Sequence, residues 1–160
     1  MPLKVGNSWA YTRTDYDSTG ALISSHPETT VVVRDTIIEG YTWYVLQGTF
    51  FQNGLFTNKP NGLWQRWDTV SFRSLPMQVN DSCAVIYGFI SLIDSSRQVS
   101  VPAGSFNCKY YLYRFPDLDW HVGYAFSYNP HIGMVKTEAY SPFGTKYLQY
   151  DLRLVNYRLY

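Results

Sequence analysis

The stretch Leu148-Gln149-Tyr150-Asp151-Leu152-Arg153-Leu154 decides the fold class. Leu148, Tyr150, Leu152 and Leu154 alternate with Gln149, Asp151 and Arg153, and a period of two puts the first set on one face of an extended strand and the second on the other. An apolar inner face and a wet outer face follow. A helix needs apolar residues three and four apart, and between Trp9 and Tyr160 almost no stretch supplies that spacing.

Outward from this segment the chain reads as short strands between turn residues. Ser8 to Tyr16 is a strand closed by Asp17-Ser18-Thr19-Gly20, a tight hairpin turn, and the chain returns through Ala21 to Ser25. Pro27 should break that strand. In Thr29 to Ile38, Val31, Val33 and Ile37 share the face expected to be buried, with Thr30, Arg34 and Thr36 on the other. Glu39-Gly40, Gln52-Asn53-Gly54 and Asn58-Lys59-Pro60-Asn61-Gly62 separate strands at Tyr41 to Phe51, Leu55 to Thr57 and Leu63 to Asp68. Thr69 to Arg73 precedes a break at Leu75-Pro76. Cys83 to Ile93 is apolar on both faces and is the one place where a short helix would fit. Gln98 to Val101, Phe106 to Phe115, Gly123 to Tyr128, Met134 to Tyr140 and Lys146 to Tyr160 complete about ten strands. The expectation is an all-β chain: one domain over 1–160, an antiparallel meander forming a strongly curved sheet or barrel, with little or no helix.

Composition narrows the partners. A formal charge of +1 and a charged fraction of 16% give no basic footprint for nucleic acid. No run approaches the roughly 18 apolar residues of a membrane-spanning helix. Fifteen Tyr, nine Phe and five Trp are more rings than most folds carry, and they must fill a core or line a binding surface. Cys83 and Cys108 are too few for a structural zinc site and too far apart for a CxxC redox pair. They are candidates for one disulfide, or else two buried thiols.

Three phrases carry a resemblance: Pro2-Leu3-Lys4-Val5-Gly6-Asn7-Ser8-Trp9-Ala10-Tyr11, Val101-Pro102-Ala103-Gly104-Ser105-Phe106-Asn107-Cys108, and Pro130-His131-Ile132-Gly133-Met134-Val135-Lys136-Thr137-Glu138. Together they cover less than a quarter of the chain. They resemble uncharacterised exported or lipid-anchored bacterial all-β proteins, with His131 standing where such phrases often have Gly. The resemblance implies a periplasmic or cell-surface antiparallel β domain and brings no catalytic residues. Met1-Pro2-Leu3 leading straight into a strand reads as a start from which a targeting sequence has been removed, so an extracytoplasmic location is expected. Physically, the phrases are turn chemistry followed by inward anchors at Trp9, Phe106 and Val135.

Chemistry is harder to place. Asp117, Asp119 and His121 would share one strand face as metal ligands, but Pro116 and the Asp content argue for a solvated turn, so no metal site is expected. Asp15 to Gly20 opens like a calcium loop whose last acidic position is His26, and a hairpin turn is the better reading. There is no GxSxG elbow, and the acids Glu28, Glu39, Asp68, Asp81, Asp94 and Glu138 are scattered, so a hydrolase is the least favoured class and no cofactor is expected. Two binding classes remain beside a purely envelope-structural role. A curved sheet can enclose an apolar, lipid-like ligand. Alternatively, Trp43, Tyr44, Trp64 and Trp67 offer ligand-binding platforms to a glycan or an envelope protein, with Trp64 and Trp67 on opposite sides of one strand so that one of them packs inside. The plainest reading of most of these rings is a core.

Overall fold

Alternating sequence produces strands throughout. The computed structural model describes residues 1–48, 54–79, 81–85, 88–115, 121–141 and 146–160, and among them there is no helix. The strands are β1 (Ser8–Tyr16), β2 (Leu22–Ile38), β3 (Tyr41–Gly48), β4 (Leu55–Lys59), β5 (Gly62–Trp67), β6 (Val70–Pro76), β7 (Ser82–Val85), β8 (Gly88–Val101), β9 (Gly104–Phe115), β10 (His121–Asn129), β11 (Gly133–Tyr140) and β12 (Leu148–Arg158). They form one antiparallel sheet in the order β6-β5-β4-β3-β2-β1-β12-β11-β10-β9-β8-β7. Each neighbour is the next strand in sequence except at β1 and β12, where the first and last strands pair, from Ser8 opposite Arg158 to Asp15 opposite Tyr150.

The two edges are therefore β6 and β7, which follow one another in the chain, and the sheet is curved without being a closed barrel. Side chains hold the edges near each other. The Arg73 guanidinium on β6 pairs with Asp81 at 2.8 Å and donates to the Ser82 carbonyl on β7 at 3.1 Å. The Tyr111 hydroxyl donates to the Pro76 carbonyl at 2.9 Å.

The core face is continuous, and every strand contributes to it: Trp9 and Tyr11 from β1, Val32, Leu46, Phe56, Leu63 and Leu75 from β2 to β6, Cys83 from β7, and Leu92, Tyr111, Phe126, Met134 and Leu154 among those from β8 to β12. This packing against a single interior is what curves the sheet. One end is plugged by the chain termini. The Trp9 indole N–H donates to the Ile132 carbonyl, Asn7 Nδ2 donates to the Pro2 carbonyl at 2.7 Å, and the Tyr160 N–H donates to Asn7 Oδ1 at 2.9 Å. The tip of the β8–β9 hairpin reaches the same region, where the Ala103 N–H donates to the Leu154 carbonyl at 3.0 Å. Trp9 and Val135 are fully buried and Phe106 packs against the core, as their places after turns predict.

Four local expectations need correction. Pro27 does not break β2: it stays within the strand, opposite Thr12 of β1, and among the described residues the pairing to β3 begins only at Thr30, so no described ladder bond needs the missing N–H. The buried face of β2 is Thr30 and Val32, whereas Ile37 is 76% exposed, because the ladder with β1 sets the parity and a bulge between Val32 and Arg34 resets it. The 83–93 segment is a hairpin, β7 into β8, with no helix among its described residues. Asp151, expected on a wet face, is 1% exposed. The turn residues 52–53 and 142–144 lie outside the described residues.

Candidate functional site

The period of two on β3, β4 and β5 aligns Tyr41, Trp43, Thr57, Lys59 and Trp64 on the face away from the core. There the Lys59 ammonium stands over three rings, 4.4 Å from the centroid of Tyr41, 5.6 Å from Trp43 and 4.3 Å from Trp64. These are cation–π distances, and the rings form a cage filled by the chain's own cation. The Trp64 indole N–H donates to Asn61 Oδ1 at 2.8 Å, whereas the fully buried Trp43 Nε1 has no hydrogen-bond partner. Tyr44 points to the other side, against the core and opposite Phe56. Trp67 is 53% exposed at the β5–β6 hairpin, so neither tryptophan of β5 packs inside. The structure thus brings Trp43 and Trp64 together and separates Tyr44 and Trp67 from them.

Cys83 and Cys108 are buried free thiols, not a disulfide. Cys83 on β7 lies opposite Ile90 on β8, which lies opposite Tyr113 on β9, and Cys108 is well back along β9 from there. Two strand spacings plus roughly 17 Å along the strand separate them, against a Cα separation of about 7 Å at most for a bridge. Burial pushes both thiols up to about 11.

The proposed metal ligands Asp117 and Asp119, and the side chain of His121, lie outside the described residues. Among the described residues no group of three or more His, Cys, Asp or Glu is placed to hold a metal ion. The Asp15–Gly20 segment is a hairpin turn. Asp17 Oδ1 accepts from the Thr19 N–H at 2.8 Å, the Thr19 hydroxyl at 2.7 Å and the Ala21 N–H at 3.0 Å.

That turn sets a register with a consequence for the core face. Arg13 lies opposite His26, and Asp15 opposite Ser24. Arg13 pairs with Asp15 at 2.8 Å, approaches Glu28 at 3.7 Å and stacks 3.9 Å over the Tyr150 ring. His26 lies between Asp15 and Glu28, at 3.8 and 3.6 Å. Burial opposes ionisation of Asp15, but hydrogen bonds from Arg13 and Ser24 and the charges of Arg13 and His26 hold its carboxyl below the usual range. Sequence reasoning passed over this cluster, although the pairs Arg13/Asp15 and His26/Glu28, each spaced by two around a tight turn, were signal enough.

The outer face of β10 to β12 carries the other concentration of polar groups. A cleft of about 200 Å³ opens between Arg97 to Ser100 on the β8–β9 hairpin and Ser127, Lys136 and Glu138 on the sheet. It exists because the hairpin leaves β10 beyond the Tyr128–Lys109 pair and bends across the sheet face, with bulges on β8 on either side of Asp94. Arg97 stacks 4.1 Å over the Tyr110 ring. Lys136 pairs with Glu138 at 2.8 Å. On the next strand Arg153 pairs with Asp151 at 2.6 Å, the Tyr16 hydroxyl reaches Asp151 Oδ2 at 3.4 Å, and Asp151 Oδ1 is buried with no partner. Burial, with the neighbouring charge of Glu138, pushes the Tyr140 hydroxyl up to about 12. The arrangement can bind a polar ligand through both signs of charge.

No family model matches the chain, and no curated protein matches it. Among solved structures it is similar to a candidate lipoprotein of Parabacteroides distasonis, with 16% identity over 99% of this chain and 97% of that one and a TM-score of 0.48. It is also similar to a candidate exported protein of Bacteroides fragilis with a YmcC-like fold, with 14% identity over 99% of this chain and 98% of that one and a TM-score of 0.57. The second likeness shows the fold of this chain to be YmcC-like.

Proposed function

We propose that this chain is an exported, non-catalytic binding domain whose ligand site is the outer-face cleft between the β8–β9 hairpin and β10 to β12. The observation that carries the reading is the convergence there of Arg97, Lys136 and Glu138 with the hydroxyls of Ser100 and Ser127. Binding through a lipid-filled interior is less well supported, because side chains from each of the described strands pack the core face. The aromatic platform is likewise engaged by Lys59. Export is supported by the three phrases and by the description of the Bacteroides fragilis protein as exported.

Native mass spectrometry of the purified chain, followed by denaturing extraction, tests the site. A clean protein mass, or a polar adduct that disappears in Lys136→Met, is the expected result. A co-purified lipid-like mass would move the site to the interior and overturn the reading. Fractionation of cells expressing the natural gene tests export, with accumulation in the cytoplasm as the contrary outcome.

A further inference from the structure

Resting on that binding reading, we infer that the cleft takes an acidic sugar, a single ring carrying one carboxylate, with the carboxylate on Arg97 and the ring hydroxyls among Ser127, Lys136 and Glu138. The hollow begins with the alternation on β10. Tyr124, Phe126 and Tyr128 pack on the core side, so Ala125 and Ser127 between them belong to the outer face. Across the ladders Ser127 stands between Tyr110 on β9 and Lys136 on β11, and Ala125 between Leu112 and Glu138. Two short side chains flanked by longer ones leave a trough, and the β8 segment from Arg97 to Ser100 walls it.

Three groups lining the trough have unused hydrogen-bonding capacity. Ser127 is 4% exposed, yet its hydroxyl has no hydrogen-bond partner among the described residues. A buried hydroxyl left without a partner costs free energy, and a ligand hydroxyl on the cleft floor supplies one. Arg13, Arg66, Arg73 and Arg153 each pair with a carboxylate. Arg97, by contrast, has no ion pair and no side-chain hydrogen bond among the described residues, and is held 4.1 Å over the Tyr110 ring. A guanidinium on a ring uses its face there and keeps its N–H edge, a fork that matches a carboxylate. Lys136 and Glu138 neutralise each other through Glu138 Oε1 at 2.8 Å. The charge left over in the cleft is therefore that of Arg97, and Glu138 Oε2 remains an acceptor for a hydroxyl. This set favours an anion over a cation, and an anion bearing hydroxyls over a bare one. A volume of about 200 Å³, below the roughly 300–1,000 Å³ of drug-sized pockets, suits one ring and not a chain.

The test is an amide-resolved NMR titration of the whole chain with D-glucuronate, run beside D-glucose, which lacks the carboxylate, and acetate, which lacks the hydroxyls. Glucuronate should give saturable shifts at Arg97, Ser127, Lys136 and Glu138 and bind at least roughly tenfold more tightly than either control. Arg97→Gln, at an exposed position, should weaken glucuronate about tenfold and bring it level with glucose. Ser127→Ala should weaken both sugars and leave acetate unchanged. Glucose binding as tightly as glucuronate, or glucuronate affinity unmoved in Arg97→Gln, would overturn the assignment of the carboxylate. Acetate binding as tightly as glucuronate would overturn the assignment of the sugar ring. Each of these results leaves the cleft as a polar-ligand site. Failure of all three compounds to shift any cleft amide would overturn both readings.

Discussion

Trp9 and Gly133 meet at the plugged end of the sheet: a Cβ on Gly133 would stand 3.1 Å from the indole Nε1 of Trp9, whose N–H donates to the carbonyl of Ile132. Two of the phrases that carry the family resemblance thus meet in space, one supplying the ring and the other the residue without a side chain. The third, around Ala103, docks nearby on Leu154. Their shared work is closure of that end.

Gly133 also has φ of +108°, where L-residues are strained. Gly133→Ala should therefore cost about 2–3 kcal/mol in urea unfolding, from backbone strain and contact with Trp9 together. Gly20→Ala is the control, since Gly20 has φ of +85° and nothing within 4 Å of its added Cβ. It should cost only the strain, about 1 kcal/mol. Equal losses at the two sites would show that the Trp9 contact is without consequence.

The cage around Lys59 predicts a charge effect separable from packing. Lys59→Met keeps an apolar stem over Trp64 and Tyr41 but removes the cation, and should lower stability by about 1 kcal/mol. Trp43→Ala removes a ring that is 1% exposed and should cost about 3–5 kcal/mol. Chemical denaturation of both variants checks the pair. A Lys59→Met variant as stable as the parent would leave the cage without a cation–π contribution.

Both thiols are buried and raised to about 11, so neither should react with a disulfide reagent at pH 8 in the folded protein, and both should react in denaturant. Intact mass should be the same with and without reductant. A two-proton deficit in the non-reduced protein would contradict the strand positions of Cys83 and Cys108.

Asp15 predicts the acid limb of stability. Its carboxyl is held below the ordinary value of 3.8 in the folded chain, so the unfolded chain takes up the proton first as pH falls. The stabilisation is fully present above the ordinary value and is lost as pH drops below about 4 and through the lowered folded value. Melting temperature against pH should fall less steeply on the acid side in Asp15→Asn than in the parent. Identical acid limbs would remove Asp15 from the account.

Much of the architecture was legible because it is local. Leu152 and Leu154 alternate with Asp151 and Arg153 and are buried as the alternation requires. Asp17 makes the turn that Asp17-Ser18-Thr19-Gly20 announces. The faces of β2 were misassigned because parity in a doubly paired strand belongs to its neighbours, and the bulge at Val32 and Arg34 moves it by one residue. The candidate rings were legible only as rings; that Trp43 and Trp64 would share Lys59, and that Tyr44 would turn inward, depends on β3, β4 and β5 lying side by side.

The sequence by itself determined that this chain is built of antiparallel strands, where most of them turn, and that no clustered charge recruits a polyanion, since period-two patterning, Gly and Pro geometry and net charge need only near neighbours or none. Tertiary structure alone decided that β12 lies beside β1, that Cys83 and Cys108 stand apart, and that Glu138 faces Asp151 across a ladder. Those relations join residues distant in the chain, and they are set by how the sheet curves around one core, a property of the whole sheet that no single strand's pattern contains.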